Sequence, residues 1–238
     1  MLSKDTKILT LNKYFLPYDI YERHKVVGGL IKNAETVVDI GGELNLLSQF
    51  CQPTKLIVAN LTSGDVIIEK NNLPFGKNTF DVVTSIDVLE HIPKAKRKEF
   101  INHLIKIAKK RVILSFPIGT SKHISYEKKI QKFLEEREID VKYIKEHIAY
   151  GLPTALDVNN YFEDFKVRIF YSGNIIINEF LFRIFIFDPK IKYVRKIVYF
   201  LKLFFNFVTN PIFYSLLTYK NYSDWVNRAY VIIEIDQK

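Results

Sequence analysis

Cysteine is almost missing from this 238-residue chain. Cys51 stands alone, so no disulfide framework can form and a reducing compartment is expected. Residues 1–7 lack the apolar stretch and small-residue cleavage site of an export signal, and the expectation is a cytoplasmic protein. An uninterrupted bilayer-length apolar segment is missing too. Residues 197–219 carry one charge, Lys202, over 23 positions, but Asn206, Asn210 and Pro211 argue against a span. No recognised RNA-binding appendage or stacking motif is present. Base is scarce in one region: residues 28–93 hold 4 Lys against 8 Asp and Glu, although the chain as a whole has a formal charge of +9.

The excess of base lies elsewhere. Residues 94–111 hold 8 basic side chains against Glu99 alone, and residues 190–202 hold 5 with no acid. Such patches attract nucleic acid, anionic lipid or phosphorylated substrates; a solvated helix face accounts for the same pattern. With 48% apolar residues, the chain can bury the core of one domain with some extra elements.

Residues 37–45, Val-Val-Asp-Ile-Gly-Gly-Glu-Leu-Asn, organise the rest. A short apolar run ending at a glycine pair predicts a buried strand and tight turn, with a helical pattern over 44–50. Gly41 and Gly42 would let the backbone approach a ligand closely, with Asp39 beside the pocket. Before it, residues 18–31 have helical spacing. That helix would cover the sheet and offer Tyr21, Glu22, Arg23 and His24 to a pocket rim. Further strands are predicted at 56–59, 66–68, 81–86, 112–116, 165–171 and 228–235, with helices after Pro93 and over 126–138 and 141–150. Alternation of this kind predicts an α/β fold: a Rossmann-like, doubly wound, mostly parallel seven-stranded sheet. Residues 174–227 are too long for a structureless loop, which predicts a helical insertion broken at Asn210-Pro211 before the last strand. The whole reads as one domain, with a covering helix at 18–36, a cofactor-binding core at 37–172, the insertion at 174–227 and the last strand at 228–235.

Leu73-Pro74-Phe75, then Phe80-Asp81-Val82-Val83, then Asp87-Val88-Leu89-Glu90-His91-Ile92-Pro93, with residues 111–117 closing the series, resemble the class I S-adenosylmethionine-dependent methyltransferases of the type 11 kind. The resemblance covers about residues 18–170 and implies S-adenosylmethionine as cofactor. It assigns the methionine end of the cofactor to Asp39, Gly41, Gly42 and Asn45, in a turn where Glu43 and Asn45 replace the family's second and third glycines. Asn45 tolerates a left-handed backbone; Glu43 would crowd the cofactor unless turned outwards. Asn60 takes the place of the acid that grips the ribose, Glu69 with Asn71 and Asn72 falls near the adenine, and Asp87 falls at the methyl end. Asp87, Glu90 and His91 are the implied catalytic group, with His91 the candidate base. Some members with a Glu-x-x-Glu-His pattern bind magnesium, but nothing in the sequence fixes the distance to His123 or His147, and no metal is expected. Glu146-His147-x-x-Tyr150-Gly151-Leu152-Pro153 is similar to a stretch in methyltransferases linked to glycan assembly. It makes His147 and Tyr150 candidate substrate contacts beside Arg23 and His24.

The resemblance thus implies methyl transfer, by O-methylation, to a small-molecule or lipid-linked glycan acceptor. The basic, aromatic segment 190–219 raises the expectation of peripheral contact with the inner membrane face; a lid or homodimer interface would use the same residues. Glu43 and Asn60 motivate an alternative, a catalytically degenerate fold kept as a binding or scaffold module. An RNA methyltransferase is the least favoured reading.

Overall fold

A computed structural model describes residues 12–69, 73–139 and 141–235. Seven strands form one sheet: β1 Thr36–Ile40, β2 Lys55–Asn60, β3 Val66–Ile67, β4 Phe80–Ile86, β5 Ala108–Pro117, β6 Val167–Ser172 and β7 Arg228–Glu234. Their spatial order is β3-β2-β1-β4-β5-β7-β6. All pairings are parallel except those of β7, which runs antiparallel to β5 and β6. The reversal at β1 opens a crevice at the carboxyl ends of β1 and β4, where open α/β sheets bind ligands.

Strand alternation sends successive side chains to opposite faces. Val38, Val83, Val112, Leu114, Val231 and Ile233 pack on one side with Ile101 and Leu104 of α2 (Arg97–Ile107) and Val158 and Phe162 of α5 (Ala155–Phe162). Val37, Val82, Ile113, Tyr230 and Ile232 pack on the other, with Val26 and Val27 of α1 (Tyr18–Gly29). Both faces are covered, which is why β1, β4 and β7 read as nearly continuous apolar runs. Helices α3 (Ser121–Glu135), α4 (Lys142–Tyr150), α6 (Ile175–Ile186) and α7 (Lys192–Leu217) complete the chain.

Two local expectations are corrected. The helix predicted over 44–50 is only a 3-10 turn, Leu47–Gln49. Asn45 at φ 63 prevents the helix from starting earlier, and Pro53 disfavours helical backbone in the residue before it. The break predicted at Asn210-Pro211 is absent, because α7 continues through Pro211. External bonds hold that stretch: Asn210 Nδ2 donates to the carbonyls of Tyr14 (3.0 Å) and Leu16 (2.9 Å), and Asn206 Nδ2 donates to that of Phe15 (3.0 Å). The two asparagines, one helical turn apart, tie α7 to residues 14–16.

The basic surface of α2 is largely paired with nearby acids. Lys94 meets Asp157 at 2.8 Å, Lys96 meets Glu99 at 3.1 Å, and Lys98 lies near Glu163 and Asp164. Arg97 is fully buried and bonds carbonyls only: Nε donates to Ile92 (2.9 Å), and Nη2 donates to Tyr150 (3.3 Å) and Gly151 at the carboxyl end of α4. It therefore fixes α4 against the turn Leu89–His91.

Candidate active site

The first glycine turn is fixed by close approach. Gly41 has φ 83, which disfavours any side chain, and a Cβ at Gly42 would strike Asp39 Oδ2. Asp39 is buried. Its Oδ1 accepts from Thr84 Oγ1 at 2.7 Å, and Oδ2 has no hydrogen-bond partner among the described residues. Burial, opposed by the Thr84 bond, pushes its carboxyl up to about 6. Glu43 is exposed at the cavity rim, so its side chain does not fill the turn.

Asn60 does not do what the family position implies. Its Nδ2 donates to the carbonyls of Gly41 (3.1 Å) and Gly42 (2.8 Å), and its Oδ1 accepts from the Leu61 N–H at 2.6 Å. Both ends of the amide brace the turn. Glu69 is exposed, and neither Asn60 nor Glu69 lines the cavity. Asn71 and Asn72 lie outside the described residues. Asn45 is also exposed and outside the cavity lining.

Beyond β4 the chain turns sharply, with Asp87 at φ 54. Its carboxylate is held by two arginines: Arg23 of α1 at 2.7 Å, and Arg228 at the start of β7 through both terminal nitrogens. Arg228 also donates to Ser115 Oγ (3.1 Å) and lies 3.8 Å from Glu22, which accepts from the Tyr230 hydroxyl at 2.7 Å. Burial raises the Asp87 pKa, but Arg228 and Arg23 outweigh it and hold the carboxyl well below its ordinary range. Asp87 is thus a paired anion that positions its neighbours.

Glu90, His91 and His147 converge beside it. His91 Nδ1 bonds Glu146 Oε2 at 2.8 Å and His147 Nδ1 bonds Glu127 Oε1 at 2.7 Å, with the two rings 4.9 Å apart. Burial, reinforced by the Asp87 charge, pushes the Glu90 carboxyl well up; burial and then His147 lower the His91 pKa. His24 is buried, with Nδ1 on the Ile20 carbonyl at 2.8 Å, and burial lowers it to about 3. Tyr150 lies outside the cavity lining and contributes its carbonyl to Arg97.

These groups surround a cavity of about 560 Å³ whose lining includes Gly41, Gly42, Arg23, Asp87, His91 and His147, and which α6 and α7 roof with Phe182, Phe185, Phe205 and Asn206. The sequence reading missed Arg228, Tyr230 and Glu127. Arg228 left a signal, since a charge opening an otherwise apolar strand must find a partner. Glu127 left none beyond its one-turn spacing from His123. The methionine half of S-adenosylmethionine fits this cradle, because two glycines admit it and Asp39 Oδ2 is an unpaired acceptor behind them. Both donors of the Asn60 amide are engaged by the turn, and its Oδ1 keeps one acceptor position.

Two predictions follow from the turn. Asn60→Asp removes both donors and sets a carboxylate against two carbonyls, so it should cost about 1–3 kcal/mol in urea unfolding; unchanged stability would show that the amide does not brace the turn. Asp39 has a folded-state pKa above its ordinary 3.8, so the native state keeps a proton that the unfolded chain has released. Its contribution therefore falls as pH rises from about 4 through about 6, by on the order of 3 kcal/mol. The stability difference between wild type and Asp39→Asn should shift by that amount in favour of the variant, and a difference independent of pH would contradict the assignment.

Sequence comparison with curated proteins finds no match. Residues 33–116 match a family model described as methyltransferase domain. Among solved structures, an S-adenosylmethionine-dependent methyltransferase of Thermotoga maritima aligns at TM-score 0.54 and 11% identity, over 93% of each chain. One from Archaeoglobus fulgidus aligns at 0.52 and 12%, over 96% of this chain and 99% of that one. Phosphoethanolamine N-methyltransferase 2 of Haemonchus contortus, in complex with S-adenosyl-L-methionine, aligns at 0.52 and 13%, over 100% of this chain and 61% of that one. The chain has the class I S-adenosylmethionine-dependent methyltransferase fold, and S-adenosylmethionine is the cofactor this family implies.

Proposed function

We propose that the protein transfers a methyl group to a hydroxyl of a lipid-linked acceptor, a glycan carried on a lipid, at the cytoplasmic face of a membrane. The observation that carries this reading is the roof of the cavity. Helices α6 and α7 line the cavity with one face and turn an apolar face outwards, with Phe180, Ile197, Phe200 and Phe204 all more than half exposed. Soluble monomers rarely expose an apolar patch of this extent. Lys190, Lys192, Arg195 and Lys196 sit at the start of α7 and suit anionic headgroups.

By length and composition α7 could cross a bilayer, with a mean hydropathy of 1.3 over its apolar window. Its bonds favour lying on the surface. Lys202 donates to the carbonyls of Phe185 (2.8 Å) and Phe187 (2.7 Å), and Asn206 and Asn210 hold residues 14–16. Crossing the membrane would strip all of these bonds. An interfacial pair of helices keeps them while burying the aromatic face in lipid.

When bound, S-adenosylmethionine supplies an electrophilic methyl group on a sulfonium. Gly41 and Gly42 would admit its methionine end, with Asp39 orienting it from behind. The Asp87–Arg23–Arg228 network holds α1 over the cavity, and the roof excludes water. The acceptor loses its proton at the cluster of Glu90, His91 and His147, where His91 is the partly exposed member. Placement of the two reactants supplies most of the acceleration for an in-line displacement.

A second reading, a binding module that has lost catalysis, is favoured by one observation, the engaged amide of Asn60. One experiment separates the two. The protein is incubated with S-adenosyl-[methyl-³H]methionine and membrane extract, then partitioned into organic and aqueous phases, with anionic-vesicle sedimentation run in parallel. Label should enter the organic phase, and the double variant Phe200→Asp/Phe204→Asp should lose sedimentation while staying folded. Label confined to water-soluble acceptors would overturn the lipid-linked reading. No label in either phase would favour the binding module.

A further inference from the structure

Glu90, His91 and His147 each offer one ligand atom, and these atoms all lie within 4.8 Å of one another. Glu90 and His91 come from the turn after β4, and His147 comes from α4, held there by Arg97. Among the described residues, two atoms of the cluster are buried without a partner: Glu90 Oε2, on a side chain 1% exposed, and His147 Nε2, on a side chain 8% exposed. Isolated polar atoms of this kind are costly in a protein interior and call for a partner.

The histidines are prepared for one particular partner. His91 Nδ1 donates to Glu146, and His147 Nδ1 donates to Glu127. Each bond fixes the tautomer with Nδ1 protonated, leaving Nε2 as a lone pair. A carboxylate behind each imidazole orients the ring and raises its basicity, as it does for metal-bound histidines. His123 adds a further layer, with Nδ1 on the Ile118 carbonyl at 2.8 Å and Nε2 3.9 Å from Glu127. Asp87 belongs to no such site, because both of its oxygens are taken by arginines.

We propose that Glu90, His91 and His147 bind a divalent transition-metal ion of the zinc type, with Glu127 and Glu146 as the carboxylates that orient its histidines. Two imidazoles and one carboxylate suit zinc or its neighbours better than magnesium, which prefers oxygen ligands and retained waters. Three protein ligands leave a coordination position open, and all three residues line the cavity. The proposal deepens the reading of this cavity as the acceptor site: a bound ion would acidify an acceptor hydroxyl placed in its open position, and the proton would leave to solvent, because the free lone pairs of His91 and His147 would be ligands. Metal binding can nevertheless be measured apart from methyl transfer. Bond lengths of about 2.0–2.2 Å require the three side chains to close in on the ion.

The test uses the full chain, without a histidine tag and dialysed against chelator. Zinc binding is followed by calorimetry, and Co²⁺ is used as a spectroscopic probe of nitrogen and oxygen ligation. The expected result is one ion per chain, with visible cobalt d–d absorption. His147→Ala and Glu90→Gln should abolish it, and Glu127→Gln, which preserves volume, should weaken affinity about 10–100-fold. His103→Ala, outside the cluster, should leave it unchanged, and circular dichroism confirms that each variant is folded. No stoichiometric binding to folded wild type, or binding that survives His147→Ala and Glu90→Gln, overturns the proposal. Methyl transfer by a folded protein that binds no stoichiometric ion would overturn the metal site alone and leave methyl transfer standing. One ion bound without any methyl transfer would support the site and count against the transferase reading.

Discussion

The architecture of the site depends on one carboxylate held between two arginines. Asp87 directly follows β4, Arg23 lies on α1 and Arg228 begins β7, so this single ion cluster joins a covering helix, the end of a central strand and the antiparallel strand. Taking such charges out of water is expensive, and removing one partner from a buried pair typically costs about 3–5 kcal/mol. The cluster therefore commits the chain to this closure of α1 over the crevice. It also removes Asp87 from the chemistry, since an anion paired twice is a poor proton carrier.

A second constraint lies at the other end of the crevice. The glycine turn after β1 lacks two of the glycines usual in this family, and it is stabilised from outside by the Asn60 amide. That bracing gives a physical reason for the amide where the family carries an acid: a carboxylate could not donate to the Gly41 and Gly42 carbonyls.

Most of the fold was legible in the sequence because strands buried on both faces leave apolar runs bounded by turn residues. The runs at 37–40, 81–86 and 228–235 fall within one or two residues of β1, β4 and β7. The insertion was legible as helical from its length, but the continuity of α7 through Pro211 was not. Proline argues locally for a break, whereas Asn206 and Asn210 bond residues nearly 200 positions away. The site was legible only in part, for the same reason. Asp87, Glu90, His91 and His147 stand in recognisable motifs. The partners that decide their roles are distant: Arg228 lies 141 residues beyond Asp87, and Glu127 lies 20 before His147 on another helix. The bracing role of Asn60 was not legible, because residue type reveals the donors and acceptors a side chain has, and only the fold shows which are already in use.

The account stands or falls on whether the cavity over β1 and β4 holds S-adenosylmethionine. Calorimetric titration of the purified chain measures this directly. The account predicts saturable binding of one cofactor per chain in the micromolar range, competed by S-adenosylhomocysteine. A folded protein that takes up no heat of binding even at millimolar cofactor would contradict it.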